Sequence, residues 1–332
     1  MRGYKFMESD MTCNGFQYEI GKEYSLEDKL VICRNGFHFC ENPFECLYYY
    51  NNIKGDKRLF LVEALGEIIT EDDKSVTNKI KIIEEIKDIE KFFDENMDNF
   101  EVDYYILSSN QILSESFIEK HCDEVNWNYI SISQKLSEKF IEKHYDKLNW
   151  VNISIHQKLS ESFIEKHIDK INWGYISINQ KLSEKFIDKY NDKFNWKCIS
   201  KFQTLSESFI EKHIDKFDWN YISQYQKLSE KFIGKHKDKV NWGSISINQK
   251  LSEEFIGKHK DKVKWGYISK YQTLSESFIG KHKNKVDWDY ISIYQKLSEE
   301  FIEKYCDNVD WVRILKYQKL SEEFRQKHKN KI

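Results

Sequence analysis

Four side chains near the N-terminus are of the types that hold a soft metal: Cys33, His38, Cys40 and Cys46. Their spacing, C-x6-C-x5-C with one interposed histidine, matches none of the C-x2-C forms that put two thiolates around a tetrahedral zinc. They read as ordinary buried thiols. A second series is longer. His121, His144, His167, His213, His236, His259, His282 and His328 fall on one 23-residue step, as a metal ladder or proton relay would require. Tyr190 and Tyr305 occupy the same place in the two remaining copies. A zinc ligand does not tolerate that exchange, whereas an amphipathic ring packed near a helix end does, so these histidines are expected to pack. Gln111 through Gln318 keep the same step and read as a repeated hydrogen-bond bridge between units. No Gly-rich phosphate loop, G-x-S-x-G or H-E-x-x-H occurs. No catalytic residue, cofactor site or metal site is assigned, and a non-enzymatic chain is expected.

The elements that carry these residues follow from the period. The tryptophans Trp127, Trp150, Trp173, Trp196, Trp219, Trp242, Trp265, Trp288 and Trp311 are spaced 23 residues apart without insertion or deletion. Such self-similarity means stacked units. With Leu113 as position 1 the unit reads L-S-E-x-F-I-x-K-H-x-D-K-V-N-W-x-x-I-S-x-x-Q-K, giving nine copies over 113–319 and a half copy over 320–332. A degenerate half copy precedes them in Val102, Asp103, Tyr104, Leu107, Ser108 and Gln111.

Each unit has two helix starts. Ser114 caps the first, with Glu115 at the positive end of the dipole and Leu113 stapled to Ile118. Asn126, or an Asp such as Asp218 or Asp287, caps the second, with Val125 stapled to Ile130. Helices of about two turns are not stable alone, so neighbouring units must supply their packing. Phe117, Ile118 and His121 share one face, as do Trp127, Ile130 and Gln134; Phe117 and the nine tryptophans are expected to form the repeat core. Positions 16, 17, 20 and 21 should face outward. They vary, from Asn128, Tyr129, Ile132 and Ser133 in the first copy to Val312, Arg313, Lys316 and Tyr317 in the ninth.

A constant core under a variable face is the pattern of a binding solenoid. Copies six to eight (228–296) replace the acid of position 7 with Gly234, Gly257 and Gly280 and place Lys237, Lys260 and Lys283 at position 10, for a charge of +6 over the three. The candidate partner surface is therefore Tyr221, Tyr225, Lys237, Lys260, Tyr267, Tyr271, Lys283, Tyr290 and Tyr294. Lysines beside aromatic rings also suit single-stranded nucleic acid, but five arginines in the whole chain favour a solvated lysine-rich face over that reading, and an acidic protein partner is expected ahead of nucleic acid.

Composition agrees. One proline, 12 glycines and 32% charged residues in 332 are unlike two ordinary enzyme domains. Residues 1–112 hold 13 basic and 23 acidic residues, against a surplus of seven positive charges over 113–332. No apolar run of ~18 residues and no signal-peptide core occur, and seven cysteines fit free thiols in a reducing compartment. An intracellular chain that avoids membranes is expected. Residues 1–86 read as a β-rich head, with strands at Phe16–Ile20, Arg58–Ala64 and Lys79–Ile83 and Asn-Gly turns at Asn14-Gly15 and Asn35-Gly36. Residues 87–112 read as a helical linker with the capping half copy, the helix spanning Glu84 to about Asn96. The fold class is α+β: a small β-rich N-terminal head followed by an all-α solenoid of 23-residue two-helix repeats.

The runs Asn14-Gly15-Phe16-Gln17-Tyr18-Glu19-Ile20-Gly21, Cys33-Arg34-Asn35-Gly36-Phe37-His38-Phe39-Cys40-Glu41-Asn42-Pro43 and Val62-Glu63-Ala64-Leu65-Gly66-Glu67 resemble an uncharacterised head domain of phage and giant-virus proteins. The repeat resembles short helical repeats abundant in giant-virus (mimivirus-like) proteomes. These resemblances imply no activity; for a viral chain they imply the host cytoplasm or virus factory. Gly36-Phe37-His38-Phe39, Asn42-Pro43 and Tyr48-Tyr49-Tyr50 are also similar to the strand-to-helix segment of ADP-ribosyltransferase-like domains. That likeness implies NAD chemistry with Arg2 and Glu63 or Glu67 in the cofactor and catalytic roles, and a solenoid that recruits substrate. The expected function remains a protein-interaction scaffold, monomeric and elongated. With layers ~10 Å apart, nine units would make a rod of roughly 90 Å, so the maximum dimension from small-angle scattering should lie near that length; a compact globular profile would refute the solenoid.

Overall fold

A computed structural model describes residues 1–49 and 57–331. They fall into two compact units, Met1–Asn172 and Trp173–Ile332.

The first unit opens with a small β-rich region. Strands β1 (Arg2–Met7), β2 (Thr12–Cys13), β3 (Phe16–Gln17), β4 (Glu23–Ser25) and β5 (Phe37–Phe39) lead to helix α1 (Cys46–Tyr49). Strands β6 (Arg58–Ala64), β7 (Ile68–Glu71), β8 (Lys74–Thr77) and β9 (Lys79–Ile86) follow. An antiparallel sheet in the order β1-β6-β9-β4 carries the core, and a second sheet runs β5-β8-β7. Phe6, Leu59, Phe60, Val62, Ile80 and Ile82 are fully buried. Tyr4 and Cys40 exchange backbone hydrogen bonds of 2.7 and 3.0 Å between the two sheets. Gly3 makes that approach possible, because a Cβ there would lie 2.4 Å from the Phe39 ring and 2.7 Å from the Cys40 carbonyl.

The Arg58–Ala64 strand and the Asn14-Gly15 turn are found as the sequence indicates; Asn14 (φ 52°) and Gly15 (φ 79°) join β2 to β3 in the left-handed geometry of a type I′ turn. Two expectations are corrected. The strand expected over Phe16–Ile20 stops at Gln17. The helix expected from Glu84 begins only at Ile89, since Glu84, Glu85 and Ile86 extend β9 and pair with Leu61, Phe60 and Leu59, with Arg58 bonding Glu85 at 2.8 and 2.6 Å.

Helices α2 (Ile89–Asn96) and α3 (Tyr104–Asn110) lead into the repeats, whose first copy holds α4 (Glu115–Lys120) and α5 (Trp127–Ser133). Every later copy repeats this pair of short helices through α22 (Glu322–His328). The caps are as read: Ser114 Oγ accepts from the Phe117 amide, and the Asn126 side chain from those of Asn128 and Tyr129. Neighbouring copies are joined by polar groups that the helices bury. Gln134 Oε1 accepts from Leu113 N at 2.9 Å, while its Nε2 donates to the carbonyls of Ser108 and Gln111 at 3.0 and 2.7 Å. In the second unit Gln226, Gln249, Gln272 and Gln295 make the same three contacts. The serine of position 19, fully buried, donates to the tryptophan carbonyl four residues back and accepts the amide of the next copy's cap residue, as Ser131 does for Trp127 and Asn149.

The tryptophans do not form the centre of the core. Among them only Trp311 is buried, at 9% exposure, and the others are half-buried, because each indole lies at the edge of its layer. The centre belongs to the isoleucines of positions 6 and 18, such as Ile118 and Ile130, which are fully buried, with Phe117 beside them. Each indole still stacks on the next copy's phenylalanine, as Trp219 does on Phe232 at 6.2 Å, and donates to a carbonyl five residues back, here Ile214 at 3.1 Å. Tyr221 is half-buried too, rather than fully outward, and its ring meets Tyr225, Lys197 and Lys201. Trp219→Ala should therefore cost about 3 kcal/mol, near the low end for a large aromatic, and Tyr221→Ala well under half of that; equal losses of denaturation midpoint would contradict this packing.

Candidate functional site

The copies are also tied on one flank by a ladder of charges. The glutamate of position 3 reaches forward to the next copy's cap: Glu115 accepts from Ser137 N and Oγ at 2.5 and 3.0 Å. The acid of position 7 is clasped by the lysine and histidine of positions 8 and 9 one copy later. In the first unit Glu119 lies 2.6 Å from Lys143 Nζ and 3.1 Å from His144 Nε2. In the second unit Asp188 meets Lys212 and His213 at 2.6 and 2.8 Å, Glu211 meets Lys235 and His236 at 2.7 and 2.8 Å, and Glu303 meets Lys327 and His328 at 2.6 and 2.8 Å. Each imidazole is also packed between rings, as His236 is between Phe232 at 4.5 Å and Trp219 at 5.3 Å. The histidines thus pack, as expected, and also pair with acids 25 residues away.

Three glycines interrupt the ladder. Gly234 and Gly257 leave His259 and His282 with no carboxylate, and neither they nor Lys258 and Lys281 form an ion pair. The Nε2 of His282 is buried without a hydrogen-bond partner. Gly280 is different: a Cβ there would stand 2.6 Å from the Tyr305 hydroxyl, so the glycine makes room for the phenol.

The candidate partner residues lie close to these gaps or on the second helices. Lys237, Lys260 and Lys283 are exposed. They sit just beyond the first helix, in the turn that follows it, and their carbonyls accept the indole N–H groups of Trp242, Trp265 and Trp288 at 2.8, 2.8 and 3.0 Å. Tyr225, Tyr267, Tyr271 and Tyr294 are exposed, whereas Tyr221 and Tyr290 are half-buried. Lysine heads lie over these rings: Lys201 is 5.7 and 5.5 Å from Tyr221 and Tyr225, and Lys270 is 5.5 and 5.4 Å from Tyr290 and Tyr294. Sequence reasoning missed Lys201 and Lys270 as part of this face, although their place at position 20 beside exposed tyrosines could have indicated it.

In the head, a half-open hollow of about 460 Å³ is lined by Lys5, Phe16, Tyr18, His38, Tyr49 and Lys74 among others. Lys5 is 3% exposed and donates to the His38 carbonyl at 2.9 Å; His38 Nε2 accepts from the Cys33 amide at 2.8 Å. Burial, and then Lys5, hold the His38 imidazole below its ordinary range. Cys33 is exposed while Cys40 and Cys46 are buried, and burial pushes the Cys46 thiol well up. Among the described residues no three His, Cys, Asp or Glu side chains are grouped to hold a metal ion. Arg2 and Glu63 face each other across β1 and β6, and neither they nor Glu67 line the hollow. Tyr50 lies outside the described residues.

The interrupted ladder has a pH signature. Burial first, and then the neighbouring lysines, hold His259 and His282 below the usual imidazole range. The unfolded chain binds protons near pH 6.5 that these folded imidazoles refuse. Their contribution is whole above that value and is lost as the pH falls through it. The clasped carboxylates of Asp188, Glu211 and Glu303, lowered chiefly by their lysines, add a separate loss at lower pH, below the ordinary carboxylate value of about 4. The variant H259F/H282F should shrink the drop in thermal midpoint between pH 7.5 and 5.5, leaving the share of His38, whose imidazole is also held low, and the acid limb; an unchanged drop would exclude these two groups as a source.

Residues 1–95 match a family described as Domain of unknown function (DUF7666), which covers the β-rich region and most of α2. No curated protein and no solved structure matches the chain. No helix among the described residues is long and apolar enough to cross a membrane.

Proposed function

We propose that the chain is a non-enzymatic protein-interaction scaffold whose helical repeats present a basic, tyrosine-bearing surface to an acidic protein partner. The observation that carries this reading is the division of labour within each copy. Positions 6, 18 and 22 are buried in the same contacts copy after copy, while positions 16, 17, 20 and 21 differ between copies. Three exposed tyrosines in the second unit, Tyr225, Tyr271 and Tyr294, stand beside Lys201 or Lys270, which pair with no acid among the described residues. Aromatic rings offer large contact area at small entropic cost, and basic heads steer an acidic partner. Copies six to eight add Lys237, Lys260 and Lys283 and lose the acids of position 7, so their charge is uncompensated. Resemblance of the repeat to giant-virus sequences makes host and viral proteins the first place to look for the partner.

Affinity capture at low salt followed by titration of the captured protein tests this. The triple variant K237E/K260E/K283E should abolish binding, and binding by the parent should weaken steeply between 50 and about 200 mM salt as screening shortens. The substitutions reverse exposed side chains whose backbone alone serves the fold. If the triple variant binds as tightly as the parent, recognition rests on Tyr221, Tyr225, Tyr267 and Tyr271 instead.

A further inference from the structure

The chain displays, several times over, how a carboxylate is held on its flank, and in two places the holder stands without the carboxylate. Asp94, Glu119, Asp188, Glu211 and Glu303 each lie between a lysine Nζ at 2.5–2.7 Å and an imidazole Nε2 at 2.8–3.1 Å. Ion-pair hydrogen bonds of this length are the strong ones. At Gly234 the clasp of Lys258 and His259 is open, and at Gly257 the clasp of Lys281 and His282 is open. The rings are set as in the filled copies: His259 lies 4.4 Å from Phe255 and 5.1 Å from Trp242, and His282 lies 4.4 Å from Phe278 and 5.0 Å from Trp265.

The second clasp opens on a hollow of about 530 Å³ whose walls include Gly257, Lys258, Lys260, Lys281 and His282 together with Glu253 and Glu254. Glu253 is already engaged by Ser275 N and Oγ at 2.5 and 3.0 Å. The buried His282 Nε2 has no hydrogen-bond partner among the described residues, as is also true of His167 Nε2, which keeps Glu142 at 3.5 Å. Glycine in a helix also costs about 1 kcal/mol relative to alanine. Steric need does not account for it, since a Cβ at Gly234 or Gly257 would meet nothing closer than 3.7 Å.

We infer that Lys258–His259 and Lys281–His282 form a pair of carboxylate-binding clasps, completed in trans by two acidic side chains of a partner peptide. This rests on the acidic-partner reading above and specifies it. The two clasps are one copy apart, about 10 Å by helix-layer spacing. A peptide in the polyproline II conformation covers ~3.1 Å per residue and returns to the same face every third residue, so acids three residues apart, Glu-x-x-Glu, would reach both. A carboxylate on either imidazole would favour its protonated form. The groups facing His282 are Lys281, Lys260 and Lys285, with Glu253 and Glu254 in the hollow; those facing His259 are Lys258, Lys237 and Lys262.

The test uses the full-length chain with 13C-labelled histidine and a capped Gly-Glu-Gly-Gly-Glu-Gly peptide at low salt. The peptide should shift the His259 and His282 resonances selectively among the ten histidines. The variant G234E/G257E, which supplies the carboxylates in cis, should weaken peptide binding at least tenfold and raise the thermal midpoint. G234Q/G257Q fills the same space without added charge and should weaken it as well, which separates occupation from net charge and stands in if the glutamate variant folds poorly. Full-strength binding by both variants, or shifts spread over other histidines, would overturn the clasps. If binding is lost in K237E/K260E/K283E yet kept in both glycine variants, the basic surface stands and the clasps fall. A parent that ignores the peptide would remove the clasps, and inorganic phosphate shifting the two imidazoles in its place would overturn the assignment to carboxylate. In that case capture of an acidic partner still decides the broader reading.

Discussion

Burying a glutamine is what the repeats depend on. A primary amide taken from water without partners costs several kcal/mol, so the side chain of position 22 is tolerable only where all its strong contacts are met. They are met by the start of its own copy and the end of the one before: Gln249 reaches Leu228 N in its own copy and the carbonyls of Ser223 and Gln226 in the preceding one. The serine of position 19 adds a further bond at a fixed offset, Ser246 to the amide of Lys264. With these bonds spanning 18, 21, 23 and 26 residues, one inserted residue would orphan several buried groups together. Helices of six and seven residues cannot nucleate alone, and this network gives each of them a neighbour it can satisfy in one register.

The charge ladder follows a different logic. Its lysines and acids reach solvent although its imidazoles are largely buried, and ion pairs open to solvent add little to stability, so the fold tolerates losing an acid at position 7 in a way that it does not tolerate losing the glutamine. Copies six to eight have lost three of them without disturbing the rings that frame the site. At Gly280 the tyrosine hydroxyl of position 9 takes up the room. At Gly234 and Gly257 nothing among the described residues does, and a space framed by cations and aromatic faces remains. A flank that can be edited copy by copy above a core that cannot lets one repeat take a different chemical character in each copy.

Legibility divided along the same line. The 23-residue step, the two capped starts and the glutamine bridge were readable because each depends on the residue type at a recurring position, with Lys264 in place of the second cap in one copy. The place of the tryptophans was not, since an apolar ring at helical spacing looks the same whether it fills the centre or lids its edge; only the pairing of small Ile at positions 6 and 18 in the layer decides it. Partners of the histidines were hidden by their separation of 25 residues, although an acid at position 7 coinciding with Lys-His at 8 and 9 carried the signal. In the head, Arg58–Ala64 declared itself as a continuous apolar run. Glu84-Glu85-Ile86-Lys87 looked helical because its charges mask a strand whose pairing lies in β6.

The junction between head and repeats shows why neither is independent in the first unit. Helix α2 lies within the domain matched over residues 1–95, yet its Glu90 accepts from Ser114 N and Oγ as Glu115 does from Ser137, and its Asp94 takes Lys120 and His121 as Glu119 takes Lys143 and His144. α3 supplies the other half, its Asp103 capping, its Leu107 fully buried and its Ser108 accepting from Asn126. The offsets are 24 and 27 residues in place of 22 and 25, so two extra residues separate these helices and hide the copy from a search at fixed period. A stack of copies ends in unpaired donors and acceptors unless something covers it. Here the head covers it with a first copy of its own, and Phe93 of α2, fully buried against Phe44 at 4.5 Å, roots that copy in the β-rich core.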